Sequence, residues 1–450
     1  MKNKKVYRVR AKSLDSQGRG VVSFNHSMIP VPGLLPGELA QIVLYRKGDE
    51  TLGRILSIVE KSGERAEAVC SWSQKCGGCQ LWSLNYEAQL KFKQEQVARL
   101  FNTVKNVGSV LGMDDFAGYR HKVHASFGRD GKGRIIAGIY EEHSHRILPV
   151  TDCRIQDPRA NAIIEEICRE MEEYKIQPYD EDTGRGMLRH VLIRSGYKTG
   201  QIMVVFVVAT LNFPKGAVLG KNLRKKFPDI RTIVYNQNNK KTSMVLGKDQ
   251  ETIFGPGYIE DELCGMTFQI SPKSFYQVNP KQAEVLYTKA MEMAKLTKQD
   301  RVLDTYCGTG TITLIAAKYA GEVTGVELNR SAVEDARINA GKNHMDHVTF
   351  VCADAARYME QAQAVSSRYS VVIMDPPRSG SNPVFLNALG KMKPDRIIYI
   401  SCNPATQKRD VDFLKRYGYR IDALQPVDMF PVTAEIENIA LLRRGREKHK

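Results

Sequence analysis

Cys402 stands in YISCNPATQKRD, directly after a strand-like run and just before Asn403-Pro404 and a helical pattern. Most cysteines are buried structural residues. A thiol at this place is different, because the partial positive charge of a helix N-terminus favours its thiolate. Acids occupy comparable places. Asp375 follows another strand in MDPPRSG, where two prolines stiffen the turn that presents it. Glu435 and Glu437 in TAEIEN are two residues apart, so one face of a strand would carry both, as catalytic groups or merely as solvent-facing glutamates. Thiolate and carboxylate together suit one kind of covalent chemistry. Carbon 5 of a pyrimidine is not nucleophilic, but a thiolate added at carbon 6 makes an enolate that is. A base on the other side of the ring must then remove the carbon 5 proton before the thiol is eliminated. Of the two glutamates, we assign Glu437 as that base.

A second group of residues concerns what would be transferred. VLDTYCGTGTITL, residues 302–314, reads as strand, loop and helix, with Gly308 and Gly310 allowing close backbone approach. The third glycine wanted by a dinucleotide pyrophosphate is missing. Asp304 ends this strand, and Glu327 ends the next one in VTGVEL, where its carboxylate can accept both hydroxyls of a ribose. A nucleoside cofactor without a phosphate site points to S-adenosylmethionine ahead of NAD. Asp354, at the end of VTFVCAD, would then lie near the adenine, or else cap the following helix. Arg378 stands after the D-P-P turn where amino-group methyltransferases usually carry an aromatic residue, which weighs against N-methylation.

These residues act together only if several strand ends converge. From about residue 281 strand-like and helix-like segments alternate strictly, the rhythm of a doubly wound parallel sheet whose ligands sit at the carboxyl ends of the strands. YRIDALQPVDMF and EIENIALLRR close it as a hairpin across Pro431–Ala434. Upstream, residues 1–59 read as short strands broken by Gly18, Gly20, Gly33, Gly37 and Gly48, which predicts a small β-barrel or sandwich, and on an OB-like barrel its basic residues would track single-stranded nucleic acid. Between them, roughly 60–270, a cysteine-rich stretch CSWSQKCGGC leads into the helical NYEAQLKFKQEQVARLF and a series of strands, an α+β or largely β unit. The C-x2-C pair within that stretch, by spacing alone, favours structural zinc.

At 450 residues the chain predicts several folding units. With 66 Lys+Arg against 50 Asp+Glu its net charge is +16, which favours a polyanionic partner such as nucleic acid over a mere solubility device. The basic clusters include Lys2, Lys4, Lys5, Arg8, Arg10, Lys12, Lys221 to Lys226, Lys240-Lys241 and the tail from Arg443 to Lys450. Neither a signal peptide nor a membrane-spanning apolar run is legible, and nine cysteines in so long a chain argue for metal or catalytic roles in a cytoplasmic, reducing compartment.

In combination, GVVSFNHSMIPVPGLLPGE, the cysteine set, SPKSFYQVNP, VLDTYCGTGTITL, MDPPRSG, YISCNPATQKRD and DMFPVTAEIENIALL resemble the RNA uracil-5-methyltransferase family over essentially the whole chain. The resemblance is to the form with an N-terminal TRAM domain and an iron-sulfur cluster, typified by 23S ribosomal RNA enzymes. It implies a multidomain α/β protein: a TRAM barrel (1–59), a central α+β iron-sulfur domain (60–270) and a Rossmann-like S-adenosylmethionine-dependent methyltransferase domain (271–450). It implies Cys402 as nucleophile and Glu437, not Glu435, as base. Gln277, Tyr306, Thr311, Glu327, Asp354 and Asp375 match the cofactor-contacting set, and Phe275 with Asp375 the residues at the target uracil. Without the resemblance Phe275 reads as core. Cys70, Cys76, Cys79 and Cys153 in TDCRIQDP match the four ligands of a 4Fe-4S cluster, with structural zinc as the alternative. The implied activity is methylation of carbon 5 of a uridine in 23S ribosomal RNA by a monomer. The alternatives are the T-loop uridine of transfer RNA and a non-catalytic RNA-binding ribosome-assembly factor. A cytosine-5 enzyme would commonly place a second cysteine in the turn held here by Asp375-Pro376-Pro377, and a redox enzyme would carry a nicotinamide or flavin fingerprint. Val432 departs from members with an aromatic residue or His beside the threonine of that segment.

Overall fold

The computed structural model describes residues 5–67, 70–73, 75–141, 144, 146–242, 244–364 and 368–445. Lys2, Lys4 and the basic tail beyond residue 445 therefore lie outside the described residues. The N-terminal strands β1 (Val6–Leu14), β2 (Gly20–Phe24), β3 (Ser27–Val31), β4 (Leu39–Lys47) and β5 (Glu50–Glu60) pair antiparallel in the order β3-β2-β1-β4-β5. The sheet curls until β5 packs on β3. A Cβ at Gly53 would stand 2.7 Å from the Val31 side chain, so a residue without one makes the closure possible. Val9, Val22, Val31 and Ile42 fill the interior.

Helix α1 (Tyr86–Leu100), capped by Asn85, buries Val97 and the following Phe101 in the core of the C-terminal sheet and not in the middle unit it adjoins in sequence. The middle unit is a sheet of order β12-β11-β10-β9-β6-β7-β8. Its elements are β6 (Lys122–Arg129), β7 (Ile135–Tyr140), β8 (Ile147–Leu148), α2 (Pro158–Glu173), β9 (Leu188–Ser195), β10 (Ile202–Val208), α3 (Pro214–Lys226), β11 (Ile230–Gln237) and β12 (Gln250–Phe254). Strands β6 to β11 fall on strand-like runs of the sequence, and β12 is an addition. Helices α2 and α3 were missed, although Ile163, Ile164, Ile167 and Met171 recur at helical spacing behind an Asp157 cap and Pro158. β9 and β10 are buried along their whole length; β10 is an unbroken apolar run accordingly, whereas β9 also buries Arg189, His190 and Arg194.

A hairpin of β13 (Ile259–Leu263) and β14 (Met266–Ile270) and helix α4 (Pro280–Ala294) lead into the C-terminal sheet. There β15 (Arg301–Thr305), α5 (Thr311–Ala317), β16 (Glu322–Glu327), α6 (Arg330–Lys342), β17 (Val348–Cys352), α7 (Ala355–Ala364), β18 (Val371–Met374), α8 (Pro383–Met392), β19 (Arg396–Ser401) and α9 (Pro404–Leu414) alternate as predicted. β20 (Tyr419–Val427) and β21 (Glu437–Arg444) complete the order β17-β16-β15-β18-β19-β21-β20, parallel except that β21 runs antiparallel to both its neighbours. The order reverses between β15 and β18, so a crevice opens at the carboxyl ends of these neighbours. One continuous core joins this sheet to the middle one, with Leu192, Met203 and Val205 packed in the same cluster as Ile373, Ile398 and Ile400. The closing hairpin is longer than the sequence reading had it: residues 428–436 connect its strands, and Glu435 lies in that loop. Glu435 and Glu437 therefore do not share a strand face.

Candidate active site and cysteine lobe

Cys402 follows β19, and Glu437 opens the antiparallel β21; the pairing of Ser401 with Asn438 sets the two side by side. Asn403 caps α9 by accepting the N–H of Ala405 at 3.1 Å, and Pro404 begins the helix. The expected gain from the helix N-terminus is outweighed. Burial first, then the charges of Glu437 and Asp375, push the Cys402 thiol up to about 11, with Arg378 acting in the opposite sense. A helix terminus supplies only about 0.3–1 kcal/mol at an exposed position, too little to reverse desolvation beside two acids. Cys402 thus rests as a thiol, a correction to the thiolate expected from its position.

The two acids explain each other. Glu437 is 4% exposed, its Oε2 is buried without a partner, and burial followed by the Asp375 and Glu435 charges raises its pKa well above the carboxylate range. Asp375 is raised to about 7 by burial and then by Asp304. Glu435 is instead paired with Arg378 at 2.7 Å in the open, bridging the loop before β21 and the D-P-P turn. That turn is fixed from α9, since Asn403 Nδ2 and Thr406 Oγ1 both donate to the Arg378 carbonyl at 3.2 Å.

The glycine loop forms the floor. Gly308 and Gly310 adopt left-handed φ of 54° and 84°, as does the non-glycine Tyr306 at 78°. Glu327 accepts the Gly308 N–H at 3.1 Å and the Asn329 N–H at 2.8 Å, so its carboxylate is set at the loop's edge. Asp354 accepts the Arg357 N–H at 3.0 Å, the capping arrangement foreseen as its alternative, and its charge reaches Tyr306. Tyr306 meets Ser381 Oγ at 3.3 Å, and Thr311 is the first residue of α5. Gln277 is buried against the Tyr287 hydroxyl. Phe275 is 66% exposed, so the core reading fails; its carbonyl accepts from Thr309 Oγ1 at 3.3 Å, tying it to the glycine loop.

Two residues of this crevice escaped the sequence reading as site members. Asp304 was noticed only as a strand end. It is fully buried, accepts from Thr313 Oγ1 at 2.5 Å, leaves Oδ1 without a partner, and is raised to about 7, chiefly by burial. Tyr287 on α4 feels the charges of Asp375, Glu437 and Asp304 together, and nothing in its sequence context marked it. A crevice holding several acids that resist ionisation is prepared for a cation.

A separate lobe collects the cysteines. Cys70, Cys76, Cys79 and Cys153 line one cavity with Trp72, Trp82, Val150 and Ile155. Burial, then mutual repulsion among the sulfurs, pushes Cys79 up to about 12, and burial raises Cys76 and Cys153 as well. Four sulfur donors facing an apolar cavity fit a metal or cluster that would hold them ionised. Among the described residues no group of three or more His, Cys, Asp or Glu is arranged to hold a metal ion, so the shared cavity is the observation that brings the four cysteines together.

The family model for tRNA (uracil-5-)-methyltransferases matches residues 85–445, which spans the middle and C-terminal sheets and every crevice residue named above. The chain belongs to this family. Its relatives include RNA methyltransferases, themselves uncharacterized, of Oceanobacillus iheyensis and Halalkalibacterium halodurans. Each is 40% identical over 97% of this chain and 96% of its own length. A solved structure of the Pyrococcus abyssi tRNA (uracil-54, C5)-methyltransferase in complex with S-adenosyl-L-homocysteine superposes with a TM-score of 0.78 at 29% identity. It covers 97% of this chain and 100% of that one. This member of the uracil-5 family is accordingly an S-adenosylmethionine-dependent RNA methyltransferase. No helix among its described residues is long and apolar enough to cross a membrane.

Proposed function

We propose that the protein methylates carbon 5 of a uridine in RNA through a covalent bond between Cys402 and carbon 6, with Glu437 as the base. The observation that carries this reading is the side-by-side placement of a thiol and a buried, unpartnered carboxylate at one strand edge of a uracil-5 family crevice. When bound, S-adenosylmethionine supplies the methyl group and a positive charge. Gln277, Tyr306, Thr311, Glu327, Asp354 and Asp375 would hold it, Glu327 at the ribose and Asp354 at the adenine, and Asp304 adds charge beneath. The target base leaves its stack and packs on the exposed Phe275. Cys402 Sγ gives up its proton to solvent water and bonds carbon 6 while the ring electrons move to the carbon 4 oxygen. Carbon 5 takes the methyl group. Glu437, once ionised, accepts the carbon 5 proton, the C6–S bond breaks, and the thiolate leaves.

Cys70, Cys76, Cys79 and Cys153 would hold a 4Fe-4S cluster serving as a cross-link between the start of the lobe and the middle unit. The apolar cavity lined by the four cysteines supports a bound metal centre there, and the choice of the cluster over the zinc alternative rests on the resemblance. The RNA we assign is 23S ribosomal RNA, on the resemblance to the barrel-and-cysteine form of the family. A transfer RNA uridine is the second reading, favoured by the activity of the Pyrococcus abyssi relative. Mass spectrometry of ribosomal and transfer RNA from a deletion strain decides between them. Loss of 5-methyluridine from 23S RNA upholds the assignment, and loss from transfer RNA alone overturns it.

A further inference from the structure

The loop that leads to Glu437 is held at its start by Asn279 and Gln282 at the N-terminus of α4, and from Pro431 to Ala434 by the cysteine lobe and α1. Tyr119 Oη donates to the Pro431 carbonyl at 3.3 Å. The Val432 N–H donates to Gln89 Oε1 at 2.9 Å, and its carbonyl accepts the Leu81 N–H, two residues past Cys79, at 2.9 Å. The Ala434 N–H donates to Gln80 Oε1 at 3.2 Å, while Gln80 Nε2 donates at 2.8 Å to the Gly77 carbonyl inside the Cys76–Cys79 turn. Gln96 Nε2 reaches the Ala434 carbonyl at 3.4 Å.

Val432 concentrates the coupling. Its φ is +62°, a conformation that a β-branched residue adopts only under constraint, and its side chain is fully buried in the cluster that includes Trp82, Tyr119 and Ile155. Cys70, Cys79 and Cys153 pack against that same cluster. On the loop's other side stand Glu435, paired with Arg378, and then Glu437 with its orphaned oxygen. A strained residue kept in place by the cysteine lobe, five positions before the base, is what a positioning device requires.

We propose that the cysteine lobe is the frame that positions the base, acting through Val432 and Gln80 on the loop that sets Glu437 beside Cys402. The proposal rests on the covalent reading above and assigns Val432 and Gln80 as positioning residues, which touch neither RNA nor cofactor. It locates their effect in a single step, removal of the carbon 5 proton, and leaves formation of the Cys402 adduct unaffected.

The test uses full-length Gln80→Ala, whose side chain is exposed and whose loss leaves the core intact, and Val432→Gly, which relaxes the left-handed backbone while withdrawing the anchor. Glu437→Gln is the control. Each protein is mixed with S-adenosylmethionine and a uridine-containing RNA, and the denaturant-stable, methylated RNA–protein adduct is followed in time. Gln80→Ala should release product roughly fivefold more slowly, the effect carried by one intramolecular hydrogen bond, with adduct formation at the wild-type rate. Val432→Gly should be slower still in the same step. Wild-type release in both variants, or formation and release falling together as from a general loss of structure, overturns the proposal. If Glu437→Gln itself traps no adduct, the base assignment fails and the positioning role with it. Trapping there without slowed release in the two variants defeats the positioning role alone.

Discussion

Binding of S-adenosylmethionine should depend on pH through the acids beneath it. Asp304 and Asp375 are both raised to about 7, each by burial first, so near neutrality each is part-protonated in the open crevice. A positively charged ligand favours the ionised forms and draws these pKa values back toward the carboxylate range. For a single group moving from about 7 to about 4, apparent affinity rises roughly twenty-five-fold, or about 1.9 kcal/mol, between pH 5.5 and 7.5, and levels off above. The sign follows from the direction of the shift: raised acids must lose protons to meet a cation, so affinity falls as pH falls. Isothermal titration calorimetry in two buffers of different ionisation heat reads both the affinity and the protons released. Asp304→Asn should flatten the profile to the share left to Asp375, and S-adenosylhomocysteine, lacking the sulfonium charge, should show a weaker slope. An affinity for S-adenosylmethionine that is flat from pH 5.5 to 7.5, with no proton release, would refute the reasoning.

Other outcomes follow from the same geometry. Turnover should climb as pH rises from 6 to 9, because Cys402, held up at about 11, and Glu437, raised well above the usual range, must both lose protons to act; a profile falling over that range would contradict it. Lys93 and Asp428 form an ion pair that is buried on both sides, with Tyr86 Oη also donating to Asp428 at 2.9 Å. Lys93→Met strands the carboxylate and should cost about 3–5 kcal/mol, seen as a lowered denaturation midpoint with unchanged m-value. Protein isolated without oxygen should carry iron and acid-labile sulfide in equal amounts, and Cys153→Ser should lose both; stoichiometric zinc instead would reverse the cluster assignment. RNA affinity should drop steeply with salt, since the exposed Lys221, Arg224 and Lys225 of α3 add to the basic surface.

Much of the crevice was legible because its residues sit at strand ends, and the alternation of strands and helices told where those ends would be. Cys402, Asp375, Glu327 and Asp354 could be placed that way. What sequence does not carry is the electrostatic environment. The position of Cys402 before α9 suggested a thiolate, and only the assembled site brings Glu437 and Asp375 near enough to reverse this. Glu435 and Glu437 look equivalent at a spacing of two, yet one is half-exposed at the end of the connecting loop, bound to Arg378, and the other is buried where β21 begins. Phe275 reads as core from its type, yet its side chain is exposed on a loop whose backbone is tied to Thr309. Helix α1 and the segment after it, with Val104, Val107 and Val110, join the C-terminal core across the whole intervening sequence of the middle unit, a long-range contact that no local pattern encodes.

The covalent bond to Cys402 is tested most directly with RNA in which the target uridine carries fluorine at carbon 5. Fluorine cannot leave as a proton does, so Glu437 cannot complete the reaction and the adduct should persist after the methyl group has been transferred. Digestion and mass spectrometry should then find a nucleotide bearing one added methyl group on the peptide containing Cys402, and none with Cys402→Ala. No adduct, or one carried by another cysteine such as Cys307, would contradict the account.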